Sequence, residues 1–253
     1  MIRFENIKKV LGGRAILDDV SLEIKKGETF VVVGPSGVGK SVTLKHMVRF
    51  FTPDSGKVYV GDDIISEASG HQLEKIRERF GYLFQGGALL AWLTVVENVA
   101  LPLQEKTDMG DEEIMAKAWK MLKLVGLEND GNKHPGEISG GMQKRAGLAR
   151  AIIRDPEIVL YDEPTSGLDP VTARTIDALI ERMRVELDVT SVVVTHDMHS
   201  ALSIGTRIAM IHGGKFIEIS SPEEFINSKR SEIQGFLASQ FITKKGSWER
   251  NTK

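Results

Sequence analysis

The chain has no cysteine, which excludes disulfides and thiolate-bound metals. It has no apolar run approaching the roughly 18–20 residues that a bilayer-spanning helix needs. Its start, MIRFENIKKV, lacks the apolar core of a secretory signal. It also lacks a charge excess: 33 basic against 35 acidic residues leave a net charge of −2, so bulk electrostatics do not point to nucleic acid as a partner. No internal repeat or low-complexity segment interrupts the sequence. These absences predict a cytosolic or membrane-peripheral protein that does not cross a membrane by itself. What is present is an ordinary globular composition over 253 residues, 41% hydrophobic and 27% charged. That is enough for a sizeable core in one large domain or two small ones.

The order of patterns suggests the architecture. IRFENI alternates, and VSLEI closes at Lys26-Gly27, so the first segment reads as β. ETFVVVG is a short apolar run ending in glycine, as a buried parallel strand would be. Leu44, Met47, Val48 and Phe51 fall at helical spacing and predict a helix over 41–51, with PDSG (53–56) as a turn. The middle, 71–155, reads mainly as helix. There Ile114, Ala118, Met121, Leu122 and Val125 share a face, and Gly126 suits the stop. A further helix runs from near Ser139 to Asp155-Pro156. EIVLYDE (157–163) and TSVVVTHD (190–197) are buried strands. Between them Asp169-Pro170 starts a helix with Ile176, Leu179, Ile180, Met183 and Leu187 as its apolar stripe. Residues 208–219 form a hairpin. Alternating strands and helices predict an α/β fold on a mostly parallel sheet, with the helical middle as an inserted lobe.

GPSGVGKS (34–41) matches G-x-x-x-x-G-K-[ST] in full, after a strand and before a helix, which is the context a P-loop requires. Its alternative is a plain glycine-rich turn. The glycines let backbone amides wrap phosphates, and the helix start adds a favourable dipole. Lys40 would reach the β- and γ-phosphates, and Ser41 would hold Mg²⁺. IVLYDE supplies the acidic partner: Asp162 at the strand's C-terminal end would hold the metal shell. Glu163, pointing the other way if the chain is still extended, suits a base for the attacking water; otherwise it is only a strand-end acid. ISGGMQKR (138–145) is a second glycine-rich helix start with Ser139 as N-cap. Either a second anion binds there, or the segment completes another molecule's nucleotide pocket, or small residues permit a close helix contact.

GPSGVGKS, Phe84-Gln85, ISGGM, IVLYDEP, SGLD (166–169) and THD (195–197) stand in the order found in ABC-transporter ATPase subunits, and the chain resembles that family over about residues 1–225. The resemblance implies a P-loop (RecA-like) ATPase core with an N-terminal antiparallel β subdomain and an inserted α-helical subdomain. Its boundaries would be 1–84 and 157–225 for the core, 85–156 for the helical lobe and 226–253 for a C-terminal helix and tail. It implies ATP and Mg²⁺ bound in a head-to-tail homodimer, each ATP between one subunit's P-loop and the other's ISGGM. Gly34, Pro35, Ser36, Gly37, Val38, Gly39, Lys40, Ser41 and Val42 would hold the nucleotide, with Leu11 near the base. Ser41, Gln85 and Asp162 would serve the metal, and Ser139, Gly140, Gly141 and Met142 would close on the γ-phosphate in trans. Glu163, with His196, Lys40 and Gln85, would be catalytic; Asp169 would link the two sites. His196 beside His199 also reads as half a metal site, but no further acid or cysteine set completes it. Members usually stack adenine on an aromatic residue, where KKVLGGR (8–14) offers Val10 or Leu11. A weak preference for ATP over GTP is therefore expected, below about a hundredfold, or about 2.7 kcal/mol.

LFQGGALL (83–90) raises a separate question. The resemblance puts Gln85 where two lobes join, with Gly86 and Gly87 as a flexing joint. Leu89, Leu90, Trp92 and Leu93 would be exposed to receive a helix of a membrane partner, or would cover the lobe's own core. LFQGGALL with TVVENVALPL, SGGMQKRAGLARAI and YDEPTSGLDP resembles the ATPases of MCE-type (Mla-like) lipid transport systems. That implies an integral membrane permease, an MCE-domain lipid-binding protein with a small regulatory subunit as a further candidate partner, and a place on the cytoplasmic face of the bacterial inner membrane. Other importers, lipoprotein-release or cell-division complexes, and soluble ABC ATPases are the alternatives. In the tail, Ile233, Phe236, Leu237 and Phe241 predict a helix that caps its own domain or, with 242–253, stabilises a dimer.

Overall fold

The computed structural model describes residues 1–240 and 242. The chain divides into two compact units, Met1–Ser69 with Val192–Lys253, and Gly70–Ser191.

The first unit opens with an antiparallel pair, β1 (Ile2–Leu11) and β2 (Arg14–Ile24). Ile2, Phe4 and Ile7 are buried while Arg3 and Lys8 are exposed. The three-residue step from Phe4 to Ile7 is a register shift. It is absorbed at Asn6 (φ 49), whose side chain donates to Asp19 (φ 57) at 2.8 Å. β3 (Thr29–Val33) is buried throughout, as its apolar run Phe30–Val33 favours. α1 (Lys40–Met47) follows and stops earlier than the spacing predicts. Arg49 turns left-handed (φ 53), and the amides of Phe50 and Phe51 both return to the Lys45 carbonyl. The apolar spacing at Val48 and Phe51 is thus carried by a helix-ending turn. β4 (Ser55–Val60) pairs antiparallel with β1, and β5 (Asp63–Ile64) completes the order β2-β1-β4-β5.

The second unit contains α2 (Gly70–Arg77), β6 (Phe80–Leu83), α3 (Val95–Lys106), α4 (Asp111–Leu124), α5 (Gly140–Ile152), β7 (Ile158–Asp162) and α6 (Pro170–Leu187). The helical reading of 71–155 is corrected at β6, which pairs in parallel with β7 from Phe80↔Ile158 to Leu83↔Tyr161. Four residues with a central glycine give too short a signal to stand out from helix periodicity. α3 starts with a Thr94–Glu97 capping box, and α4 ends before Gly126 at φ 67. α6 has Asp169 as N-cap and buries Ile176, Ile180 and Met183. Leu179 is only half-buried and Leu187 is exposed, so the stripe is narrower than predicted.

β8 (Thr190–Thr195) returns the chain to the first unit. α7 (Met198–Ile204), β9 (Arg207–His212), β10 (Lys215–Ser220), α8 (Pro222–Ile226) and α9 (Ser231–Ser239) follow. The strand order there is β10-β9-β3-β8, with β3 and β9 parallel and β9 and β10 forming the expected hairpin. α9 buries Ile233 and Leu237, the domain-capping arrangement. Phe241 and residues 243–253 lie outside the described residues. Among the described residues no helix is long and apolar enough to cross a membrane. The fold is α/β, with an N-terminal antiparallel sheet and a helical insertion.

Candidate nucleotide-binding and hydrolysis site

In the first unit, β3 delivers the chain into the loop 34–39 and α1 begins at Lys40. No side chain caps this helix: Gly39 occupies the N-cap position with φ 110. A Cβ there would meet Ile16 Cγ2 at 2.8 Å, so backbone angle and packing both demand glycine. Pro35, Ser36 and Gly37 are exposed; Val38, Ser41 and Val42 are half-buried; Gly34 and Lys40 are buried. The Lys40 ammonium donates to the carbonyls of Gly34 at 2.8 Å and Pro35 at 3.1 Å. The ammonium is thus folded back onto the start of the loop. Arg14, Ala15, Ile16, Gly37, Val38, Gly213 and Gly214 line an adjoining cavity of ≈ 190 Å³. Leu11 is half-buried and pairs with Arg14 across the β1–β2 turn. His196 follows β8 and is exposed, and its carbonyl accepts from Gln240 Nε2, whose Oε1 in turn accepts from the Met198 amide at 2.8 Å.

In the second unit, β7 ends at the nearly buried Asp162. Tyr82 on β6 donates to its Oδ2 at 3.4 Å. Burial, and then the Asp162 charge, push the Tyr82 hydroxyl far above its ordinary range, so it stays a donor. Glu163 departs from the extended geometry expected of it. Its φ is 51, so the chain leaves the strand at this residue and the up–down alternation stops applying. Its carbonyl accepts from the Ser166 amide at 3.2 Å and the Ser166 hydroxyl at 3.0 Å. The turn leads to Asp169, exposed, which accepts from the amides of Val171 and Thr172 at 3.0 Å each. Its carboxyl is held below the usual range, first by the Thr172 hydroxyl and then by the Thr172 amide.

α5 starts at the second glycine-rich segment. Ser139 is its N-cap, with Oγ accepting from the Met142 amide at 3.3 Å. Ser139 and Gly140 are exposed, Gly141 is buried and Met142 is half-buried. A Cβ on Gly141 would lie 2.5 Å from Thr172 Cγ2, so this glycine serves the close approach of α5 to α6. One turn on, Lys144 is 5% exposed. Its ammonium donates to the carbonyl and hydroxyl of Ser166, the latter at 3.2 Å, and to the Glu163 carbonyl at 3.3 Å. Burial lowers its pKa, and the Glu163 charge works against that shift.

Gln85 is exposed, following a Tyr82–Phe84 ring stack with centroids 4.2 Å apart. The glycines after it are not equivalent. Gly86 is open, but a Cβ on Gly87 would lie 2.8 Å from the Gln143 carbonyl. Arg150 donates to the carbonyls of Gly87 at 2.8 Å and Ala88 at 2.9 Å. One side of the expected joint is therefore pinned to α5. Trp92 is 73% exposed, whereas Leu89, Leu90 and Leu93 are half-buried, which corrects their expected exposure. The cause is the buried Asn98, whose side chain binds the Leu90 amide and the carbonyls of Leu90, Leu93 and Thr94 and folds the segment onto α3. Sequence reasoning missed Lys144, Arg150 and Asn98, because polar residues inside helical patterns read as solvated. The one available signal was Lys144 lying one helical turn past Gly140, on the same face.

The ABC transporter family model matches residues 17–166. "Probable ribonucleotide transport ATP-binding protein mkl" of Mycobacterium leprae (strain TN) is 40% identical over 236 residues, covering 93% of this chain and 68% of that protein. "Intermembrane phospholipid transport system ATP-binding protein MlaF" of Haemophilus influenzae (strain ATCC 51907 / DSM 11121 / KW20 / Rd) is 36% identical, covering 94% and 90%. "Methionine import ATP-binding protein MetN" of Clostridium tetani (strain Massachusetts / E88) is 40% identical, covering 94% and 74%. The chain therefore spans about two thirds of the mkl protein and most of MlaF. Among solved structures, a dimeric post-hydrolysis state of the ATP-binding cassette MJ0796 bound to ADP and Pi superposes with a TM-score of 0.80 at 35% identity, covering 88% of this chain and 99% of that one. With a complete P-loop, a strand-end Asp-Glu pair and a serine-capped glycine pair on α5, the chain belongs to the ABC transporter ATP-binding family and is an ATPase of that family.

Proposed function

We propose that the chain is the ATP-hydrolysing subunit of a membrane ABC transporter that moves phospholipid or a related lipid between bacterial membranes. It works as a head-to-tail homodimer at the cytoplasmic face of the inner membrane, with an integral permease and an MCE-domain lipid-binding protein. The observation that carries the lipid reading is the 36% identity to MlaF across 90% of that protein, together with Met142 in the signature SGGM. A solute importer is the second reading, favoured by the 40% identity to MetN.

In this reading Lys40 and the amides of 34–42 bind the phosphates of ATP, and Glu163 takes a proton from the attacking water. Gln85 and His196 contact the water and the γ-phosphate. Ser139, Gly140 and Gly141 close on the phosphate of the partner's ATP, and Asp169 links the two sites. Residues 85–156 act as the signature lobe. Ser41, Gln85 and Asp162 offer only oxygen donors, which suits a hard cation. When bound, that ion supplies charge neutralisation at the phosphates.

The test is partner capture. Tagged Glu163→Gln protein is extracted from native membranes in mild detergent with Mg-ATP, and co-purifying proteins are identified by mass spectrometry. A permease with an MCE-domain protein is the expected outcome. A solute-binding protein with a different permease moves the assignment to the importer reading, and soluble nucleic-acid machinery alone overturns the transporter reading.

A further inference from the structure

Lys144 is buried in the signature helix although nothing in the ATPase roles assigned above uses it. Burying a lysine is costly unless its donors are satisfied. Here they are satisfied by one short turn: the Ser166 carbonyl and hydroxyl and the Glu163 carbonyl. The same Glu163 carbonyl also accepts from the Ser166 amide and hydroxyl. Glu163 sits at φ 51, a backbone conformation that a non-glycine residue holds only when its surroundings enforce it. Gly141, one turn before Lys144, packs against Thr172, whose amide and hydroxyl bind Asp169. The signature helix therefore grips the 163–169 segment at both ends.

We propose that Lys144 is a positioning residue for hydrolysis: it locks the Glu163–Ser166 turn to the signature helix. In a head-to-tail dimer, the signature helix touches one ATP while the Glu163 beside it serves the other. Contact at one site then sets the carboxylate at the second. This rests on the dimeric ATPase reading above.

The experiment is steady-state ATPase kinetics on the full chain, with ATP binding and thermal unfolding measured alongside. Lys144→Met keeps the length and apolar stem but removes the donors. Its kcat is expected to fall roughly tenfold, the scale of a displaced catalytic group, while KM and ATP affinity stay within about twofold and the dependence on ATP concentration loses cooperativity. Lys144→Arg, which restores donors, should recover most of kcat. Ser166→Ala, which removes one acceptor and the hydroxyl bridge, should lower kcat by about threefold and decides the matter if Lys144→Met does not fold. An unchanged kcat in either folded variant overturns the proposal. So does a joint fall of kcat, ATP affinity and melting temperature that arginine does not rescue, which would mark Lys144 as purely structural. Glu163→Gln separates the two readings. Full turnover in that variant removes the base assignment itself, whereas its inactivity beside a fully active Lys144→Met removes only the positioning role.

Discussion

At 34–41 the chain enters its helix through a left-handed Gly39 without a side-chain cap, and Lys40 folds back onto Gly34 and Pro35. At 139–142 the helix has an ordinary serine cap in extended geometry, and its first residues, Ser139 and Gly140, are exposed. Both segments use glycine to bare backbone amides at a positive helix end. The first curls around the position where an anion would lie and brings its own cation. The second presents an open start, and the lysine that follows it on the same helix, Lys144, points back into the protein. One is a closed loop and the other an open helix start, the division of labour that the proposed head-to-tail dimer would require.

The largest expected effect comes from removing the cation that distinguishes the cradle. Lys40→Met should lower ATP turnover by about a hundredfold or more, the range for losing one preorganised charge on a transferring phosphoryl group. Blocking the second start with Ser139→Arg should also abolish turnover while leaving ATP binding to the separate subunit intact. Mixing the two inactive variants should restore measurable ATPase activity, because each mixed dimer holds one unaltered cradle facing one unaltered signature. Absence of any recovery across a range of mixing ratios would count against two half-sites on different subunits.

A smaller effect separates the two sets of glycines. Gly39→Ala forces a side chain into φ 110 and against Ile16, and should destabilise the fold by about 1–3 kcal/mol as well as impair ATP binding. Gly140→Ala meets nothing within 4 Å, and should leave the fold unchanged or stabilise it by up to about 1 kcal/mol through helix propensity. Yet it should still slow ATP-dependent dimerisation and turnover. Urea unfolding beside ATPase assays checks both. Equal destabilisation by the two substitutions would erase the distinction between cradle and open start.

The cradle was legible from the sequence because its constraints are local: a strand, six loop residues with three glycines, a lysine and a helix. The caps at Ser139 and Asp169 and the hairpin at 207–220 were legible for the same reason. What stayed hidden depends on contacts distant in sequence. Glu163 leaves extended geometry because Ser166 and Lys144 converge on its carbonyl. Leu89, Leu90 and Leu93 are drawn in by Asn98, on the next helix. β6 is a strand because β7 is beside it, not because FGYL has a strong pattern of its own.

The least expected effect lies in a feature the two helices share. Beyond its first residue each buries a basic group, Lys144 in α5 and His46 in α1. His46 Nδ1 lies 2.7 Å from the Val42 carbonyl, which can only accept, so Nδ1 carries the proton of the neutral ring. Nε2 is buried with no hydrogen-bond partner among the described residues, and protonating it would bury a charge. Burial is accordingly the main cause that lowers the His46 pKa below 6.5; the Val42 carbonyl opposes it, Lys9 adds to it and Asp54 opposes it. As pH falls below 6.5 the unfolded chain takes up a proton on this residue before the folded chain does, so the unfolded state is favoured. The stability contributed by neutral His46 is complete above that pH and is lost down to the folded-state pKa, below which no further loss arises from it. His46→Phe keeps a ring in the core and removes the titration. Urea unfolding between pH 7.5 and 5 should therefore give a shallower decline of stability with acidification for His46→Phe than for the unaltered chain. Parallel declines would mean that the helix behind the cradle tolerates a charged His46, and that the two helices do not share the constraint on a buried base.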